Sequence, residues 1–109
     1  MKGLEKLLID LCLESHECRT YLSIMFTLFE KHGLSLRGLA REINMAPKNV
    51  RKWIDKLEKR EFVKTYRTKI EKIHILNFEK IEKEYGISKE EFRKFKQTIN
   101  EILRERKLP

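Results

Sequence analysis

Glycine and proline are scarce in this chain, with four glycines and two prolines among 109 residues. Neither a Gly/Ser-rich linker nor a low-complexity tract is present, and no internal repeat is visible. The length suits one domain, with enough residues for one core and too few for a second. We therefore predict a single domain over residues 1–109.

Cysteine is also rare, and the two cysteines do not indicate a disulfide scaffold. Cys12 and Cys18 lie in a stretch of helical pattern, where a separation of six does not bring side chains together. With His16 they offer three zinc ligands, but no second Cys or His pair at a zinc-binding spacing follows. We interpret both as reduced core thiols and predict no metal or other cofactor.

Long apolar runs and catalytic residue combinations are missing as well. The longest mostly apolar run, YLSIMFTLF at 21–29, is well short of the roughly 20 residues of a membrane span. The three histidines are scattered, and no phosphate-binding glycine loop is present. We expect a cytoplasmic protein that is not an enzyme and has no membrane partner. Lys and Glu dominate the charges and Gln97 is the single glutamine, which favours a thermophilic source.

Positive charge is in excess, and it is concentrated in the middle third. The net charge is +8, and residues 36–72 alone hold twelve Lys or Arg against five Asp or Glu, a net +7. A basic excess confined to one module is typical of proteins that bind a polyanion, although a lysine-rich surface also serves solubility.

The middle third also contains a break between two apolar patterns of helical spacing. In LAREINMAPKNVRKWIDKLEKREF, residues 39–62, the pattern stops from Asn44 to Pro47, and proline does not fit inside a continuous helix. Ser35 stands at an N-cap position, Asn44 can close the first helix, and Pro47 suits the first turn of the second. We predict a helix-turn-helix.

Periodicity predicts the remaining elements and a fold class that is mostly α-helical with a small β-hairpin. These elements are an N-terminal helix within residues 1–18, a helix from near Arg19 to Gly33, a ribbon over 62–78 that turns near Thr68 to Glu71, a short helix from Glu79 to Tyr85, and a last helix with Ser88 and Glu91 at capping-box spacing. In the ribbon, Ile73 and Ile75 alternate with Lys72 and His74.

This order of elements resembles the winged helix-turn-helix DNA-binding domains, particularly the small MarR-, ArsR- and Lrp-like regulators of bacteria, archaea and their viruses. The resemblance covers about residues 19–78, and residues 79–109 form a C-terminal helical extension. Its most specific part is LAREINMAPKNVRKWIDKLEKREFVKTYR, where the family's apolar positions hold Leu39, Ala40, Ile43, Val50, Ile54, Leu57, Phe62 and Val63. The chain departs from the family pattern at Ala46 and Pro47, where a Ser/Thr-rich start is common, and at the wing tip, which lacks the usual glycine.

The second helix of the motif, about residues 47–60, has a basic side opposite its apolar side on a helical projection. Such a helix fits the DNA major groove, and Lys48, Asn49, Arg51 and Lys52 are the candidates for base contacts. The resemblance implies that the wing, about residues 62–78, lies on the backbone or minor groove. The other predicted DNA-binding residues are Lys56 and Lys59 on the same helix, Arg37 and Arg41 on the preceding helix, and Lys64, Arg67, Lys69 and Lys72 on the wing.

The last helix carries Phe92, Phe95, Ile99 and Ile102 in a coiled-coil-like seam. This seam packs either on the N-terminal helix or against its copy in a second chain. We favour a homodimer, because the resembled families commonly dimerise through helices outside the wing module, and we place Leu4, Leu8 and Leu11 in the same interface. The binding of a small-molecule effector is left open, because no residue indicates an effector site.

The predicted function is therefore sequence-specific binding of double-stranded DNA by a homodimeric transcription regulator. Two alternatives stay open: a winged helix used as a protein-interaction or assembly module, and architectural or replication-associated binding without sequence preference. For the basic surfaces themselves, the alternatives are a solvated lysine-rich helix and ribbon lysines that discourage aggregation.

Overall fold

The structure is a computed structural model that describes residues 3, 6, 7, 9, 10 and 18–106, without the side chains of residues 18, 19 and 98–106. The predicted interface residues Leu4, Leu8, Leu11, Ile99 and Ile102 lie outside the described side chains. The described elements are α1 (Cys18–Lys31), α2 (Leu36–Ile43), α3 (Pro47–Lys59), β1 (Val63–Arg67), β2 (Lys72–Leu76), α4 (Phe78–Tyr85) and α5 (Lys89–Arg106). The predicted fold class is confirmed. No helix among the described residues has the length and apolar content needed to cross a membrane.

The helix-turn-helix consists of α2, a turn, and α3, and its ends follow the predicted capping residues. The Ser35 hydroxyl accepts a hydrogen bond from the Gly38 N–H at 3.1 Å, which caps α2. Asn44 closes α2 in the left-handed conformation, with φ 55° and ψ 52°. Pro47 then occupies the first turn of α3, where its missing N–H leaves no helical hydrogen bond unmade.

The segment after α1 connects this helix to the hairpin. Gly33 has φ +117°, and a Cβ at this position would lie 3.0 Å from Cγ1 of Ile75. Glycine therefore serves both the backbone conformation and the close approach of β2. Leu34 next exchanges two backbone hydrogen bonds with His74, at 3.0 and 2.8 Å. This bridge fixes β2 against the start of the helix-turn-helix.

The hairpin pairs β1 with β2 in antiparallel register, from Val63 opposite Leu76 to Arg67 opposite Lys72. The turn falls at residues 68–71, as predicted. In β2 the buried residues are His74 and Leu76, whereas Ile73 and Ile75 are half-buried. The alternation in the sequence grouped His74 with the exposed Lys72, and its burial shows that both sides of β2 are covered, one of them by the Gly33 segment.

An aromatic cluster joins α5 to α1 and α4. The Phe92 ring is fully buried, with centroids 4.9 Å from Phe26, 5.1 Å from Phe29 and 5.5 Å from Phe78. Phe95 is 8% exposed and lies 5.9 Å from Phe26. The first two residues of the predicted seam are thus buried inside their own chain, mainly against α1, and not on a surface left open to a second chain.

The described N-terminal residues pack on the end of α4 and on α3. Leu7 is fully buried, and a Cβ on Gly3 would collide with the Tyr85 carbonyl, so only glycine allows this approach. The Tyr85 hydroxyl donates to Asp10 Oδ2 at 2.7 Å, and Arg60 donates to the Asp10 carbonyl at 3.3 Å. Burial and the bond to Asp10 raise the pKa of Tyr85.

Replacing Phe92 by Ala should lower the free energy of unfolding by about 3–5 kcal/mol, because it removes the ring at the centre of the aromatic cluster. Urea denaturation followed by circular dichroism measures the change. Lys94→Ala is the matched control, since its side chain is 70% exposed on the same helix, and it should change stability by less than about 0.5 kcal/mol. Equal losses in the two variants would contradict the burial of Phe92.

Candidate nucleic-acid interface

One side of α3 is anchored in the core. Val50, Trp53, Ile54 and Leu57 are buried, at 0, 6, 1 and 0% exposure. The Trp53 ring packs edge-on against Tyr21 of α1, with centroids 5.1 Å apart. These contacts fix the rotation of α3 about its axis, so the residues on its other side have defined directions.

The outward side of α3 is mainly cationic. Its exposed polar and charged residues are Lys48, Asn49, Arg51, Lys52, Asp55, Glu58 and Lys59. The N-cap residue of α3 is Ala46, whose side chain makes no capping hydrogen bond, and the first turn of α3 contains no acidic residue. The partial positive charge of the helix N-terminus is therefore added to those of Lys48, Arg51 and Lys52.

Lys56 differs from the other basic residues of α3. It is half-buried, and its ammonium group lies 4.7 Å from the centroid of the Trp53 ring. This cation–π contact holds the side chain along the outer edge of the tryptophan. The structure thus places Lys56 beside the basic face and not at its centre.

The predicted basic residues outside α3 are also exposed. Arg37 and Arg41 lie on α2, and Lys64, Arg67, Lys69 and Lys72 lie on the hairpin. Arg67 and Lys72 are directly opposite each other at the end of the ribbon next to the turn. Like charges in this relation destabilise a hairpin.

A cleft of about 730 Å³ separates the outward side of α3 from the hairpin. It brings together side chains from α2, α3 and the hairpin, with both signs of charge: Arg37, Arg51, Lys72, Asp55, Glu58 and Glu71. Its carboxylates lie within the region of the predicted basic surface, so positive charge is not uniform there. Among the described residues, no cluster of three or more His, Cys, Asp or Glu side chains is suited to a metal ion.

His74 lies at the base of this cleft, where the sequence pattern gave no reason to expect a buried group. Its Nδ1 atom is 2.8 Å from the hydroxyl of Thr65, the residue opposite it on β1. Burial lowers the pKa of His74 from its usual 6.5. Glu58 and Asp55 oppose this shift and Lys72 adds to it, with burial the largest cause.

Ile70 is a second residue that sequence reasoning missed. It lies at the tip of the hairpin and is 93% exposed. The available signal was an apolar, β-branched residue inside a segment already predicted to be a turn, where glycine, asparagine or aspartate is usual.

Comparison with known proteins gives the same architecture. Residues 19–70 match the model of the MarR family. No curated protein matches the sequence.

The solved structures that resemble the chain include AntR, NadR and BpsR. The antimony-specific transcriptional repressor AntR has 15% identity and a TM-score of 0.58, with 96% of this chain and 82% of AntR covered. NadR in complex with 4-hydroxyphenylacetate has 21% identity and a TM-score of 0.58, with 96% and 77% covered. Bordetella bronchiseptica BpsR, whose DNA binding is regulated by 6-hydroxynicotinic acid, has 13% identity and a TM-score of 0.54, with 98% and 89% covered. At these identities the likeness shows the fold.

The burial of His74 predicts how stability depends on pH. Because its pKa is lowered from 6.5 in the folded chain, the unfolded chain binds the proton more readily. The contribution of neutral His74 to the free energy of unfolding should therefore be complete above pH 6.5. It should decrease as the pH falls toward the folded-state pKa.

Urea denaturation about one unit above and about one unit below the reference pKa measures this effect. His74→Gln is the control, because glutamine keeps hydrogen-bonding capacity toward Thr65 and does not titrate. The unmodified chain should lose more stability on acidification than this variant. Equal losses in both proteins would contradict the lowered pKa of His74.

Proposed function

We propose that this chain, whose residues 19–70 match the MarR family model, reads a specific duplex DNA sequence as a homodimer. Members of this family are transcription regulators and not enzymes, as the sequence predicted, and DNA binding is their shared activity. Sequence-specific reading, which goes beyond DNA binding in general, is supported above all by the outward side of α3. Its buried side fixes the helix, and its cationic side is exposed.

The N-terminal half of α3 is proposed to make the base contacts. Arg51, Lys48 and Lys52 suit the O6 and N7 acceptors of guanine, and Asn49 suits adenine. Each good pair contributes about 1–3 kcal/mol of discrimination against the wrong base. Lys59 lies further along the exposed side of the helix and is proposed to contact phosphate.

The surrounding basic residues are proposed to position the protein on the DNA backbone. Arg37 and Arg41 on α2 and the four basic residues of the hairpin lie on exposed surfaces. Phosphate contacts of this type set register and affinity without reading sequence. Lys56, held over Trp53, is proposed to contribute through the field of its charge and not through a direct contact.

The proposed dimer interface contains Leu4, Leu8, Leu11, Ile99 and Ile102. Ile9, which lies within the same N-terminal segment, is 57% exposed, an unusual exposure for a large apolar side chain. Phe92 and Phe95 are proposed to act indirectly, because their burial against α1 fixes the direction in which α5 leaves the winged helix. A twofold dimer would present two copies of α3 to half-sites about 34 Å apart.

Selection of duplexes from a randomised pool, followed by titration at several salt concentrations, tests DNA reading and dimerisation together. An inverted repeat should be enriched, with half-sites about one helical turn apart. Log affinity should fall steeply with log salt, by about 0.9 per phosphate contacted. Arg51→Ala should weaken binding to the enriched site by at least about tenfold, or 1.4 kcal/mol, with a much smaller loss on random duplex.

Lys64→Ala is the matched control for this experiment. It removes one exposed cation from the wing and should weaken binding to both duplexes alike. A steep salt dependence without an enriched site would favour architectural binding. Failure to bind duplex at low salt would favour the protein-interaction alternative.

A second candidate activity is the binding of a small aromatic anion. A cleft of about 470 Å³ lies among α1, β2 and the start of α5, and Phe29, Phe78, Lys89 and Arg93 are among its lining residues. The Arg93 guanidinium lies 5.6 Å from the centroid of Phe29. Aromatic surface beside two cations suits a one-ring carboxylate, the class to which 4-hydroxyphenylacetate, the ligand in the NadR structure, belongs.

Calorimetric titration with 4-hydroxyphenylacetate tests this cleft. Arg93→Gln should weaken binding by roughly tenfold, because a charge-assisted hydrogen bond contributes about 1.5–3 kcal/mol. Lys94→Gln, one residue along α5 and not part of the cleft lining, should leave the affinity unchanged. No heat of binding, or equal losses in both variants, would contradict the assignment.

A further inference from the structure

The tip of the hairpin carries an apolar side chain that nothing else in the described structure covers. Ile70 is 93% exposed, compared with 57% for Ile9 and 53% for Tyr66, the other exposed large hydrophobic residues described. An isoleucine in this position gains nothing from packing within the chain. Its nearest sequence neighbours, Lys69 and Glu71, are both charged and exposed.

The turn that presents Ile70 is ordered by the Thr68 side chain. The Thr68 hydroxyl accepts hydrogen bonds from the N–H groups of Ile70 and Glu71, at 3.3 and 3.0 Å, and donates one to the Glu71 carbonyl at 2.7 Å. The Thr68 N–H donates to the same carbonyl at 2.8 Å. Because isoleucine is also restricted at χ1, docking Ile70 requires little further ordering.

The charges around the tip select a polyanion as its partner. Arg67 and Lys72 face each other across the ribbon, and Lys69 lies within the turn. The free protein bears the repulsion between Arg67 and Lys72, and a row of phosphates would relieve it. Ile70 has no hydrogen-bonding group in its side chain, so it gains most from apolar surface between the phosphates, such as the deoxyribose walls of a groove.

The dimensions of the hairpin bring the minor groove within reach. Its five-residue strands are about 16 Å long at 3.3 Å per residue. With α3 in the major groove, the adjacent minor groove lies about 17 Å away, half of the 34 Å helical repeat. That groove is about 6 Å wide, and apolar side chains enter it in other DNA-binding proteins.

We propose that Ile70 enters the minor groove beside the base-reading site and selects A·T pairs there. This inference rests on the proposed function, with α3 in the major groove. A G·C pair places the N2 amino group of guanine on the groove floor. Ile70 would strip that donor of water without replacing its hydrogen bond, whereas an A·T floor carries only the N3 and O2 acceptors, which a G·C floor carries as well.

Inosine separates this mechanism from major-groove reading. An inosine·cytosine pair keeps the major-groove pattern of G·C but lacks the N2 amino group. The duplex enriched from the randomised pool is therefore prepared with A·T, G·C or inosine·cytosine at each flanking position next to the half-site. At the flanking position that Ile70 contacts, the full chain should bind the A·T and inosine·cytosine duplexes at least about fivefold more tightly than the G·C duplex.

Ile70→Ala tests whether the side chain causes this preference. The exposed position makes the variant compatible with folding, and circular dichroism checks this. Ile70→Ala should bind the three duplexes with affinities within about twofold of one another. Relative to the unmodified chain, the affinity for the G·C duplex should decrease least. Lys69→Ala is the matched control: it should lower the salt dependence by about one phosphate contact and keep the preference for A·T and inosine·cytosine.

The outcomes separate this inference from the proposed function. Specific binding that depends on Arg51 but shows no flanking preference, or a preference that persists in Ile70→Ala, would overturn the role of Ile70 and leave DNA reading by α3 intact. A G·C penalty that inosine does not relieve would also overturn it, since the N2 amino group would then be irrelevant. Absence of duplex binding by the unmodified chain would overturn both proposals.

Discussion

The burial of one side of α3 is the constraint on which the rest of the structure depends. Val50, Trp53, Ile54 and Leu57 are withdrawn from water, and full burial of such a side chain contributes about 1.5–3 kcal/mol. Rotating α3 by one residue, about 100°, would expose these side chains and bury charged ones. Because that rotation is energetically unfavourable, the packing of the core fixes the direction of Arg51 toward solvent. The proposed base reading therefore depends on residues that are buried away from the DNA-facing side.

The same helix sets the position of the hairpin. The Leu57 carbonyl accepts a hydrogen bond from the Phe62 N–H at 3.0 Å, and Glu61 adopts φ 63° to bring the chain round. Asn77 then bonds back to Phe62 and Glu61, which ties the end of β2 to the start of β1. Together with the Leu34 bridge to β2, these bonds attach the hairpin at its base on both strands. The cleft between α3 and the hairpin follows from this geometry, with His74 enclosed at its base.

Local structure could be predicted from the sequence because its causes are local. Ser35, Asn44 and Pro47 act through their own backbone and side-chain preferences, so the boundaries of α2 and α3 were accessible without tertiary information. Ser88 and Glu91 likewise form reciprocal backbone-to-side-chain bonds, at 3.1 and 3.4 Å. In each case the deciding contact spans only a few residues.

What covers an apolar surface could not be predicted in this way. The spacing of Phe92 and Phe95 showed that their helix has an apolar side, but a partner in the same chain and a partner in a second chain produce the same pattern. The structure buries both rings against residues more than sixty positions earlier in the sequence, such as Phe26. The burial of His74 was not predicted for a related reason: period-two alternation assumes one solvent-facing side, and the side of β2 that carries His74 faces α2 and α3 across the cleft.

Three local departures from the rules of stable folding lie on the region proposed to face DNA. Ala46 begins α3 where a capping side chain is favoured, Arg67 is paired with Lys72, and Ile70 occupies a turn position exposed to water. Each choice makes the free protein less stable than a conventional residue would. By contrast, α2 has a serine cap and α5 has a capping box. Such exceptions concentrate at functional sites, because a residue that is unfavourable alone is retained where a partner compensates it. A duplex would compensate all three: phosphate for the uncapped helix end and for the paired cations, and the groove floor for the isoleucine.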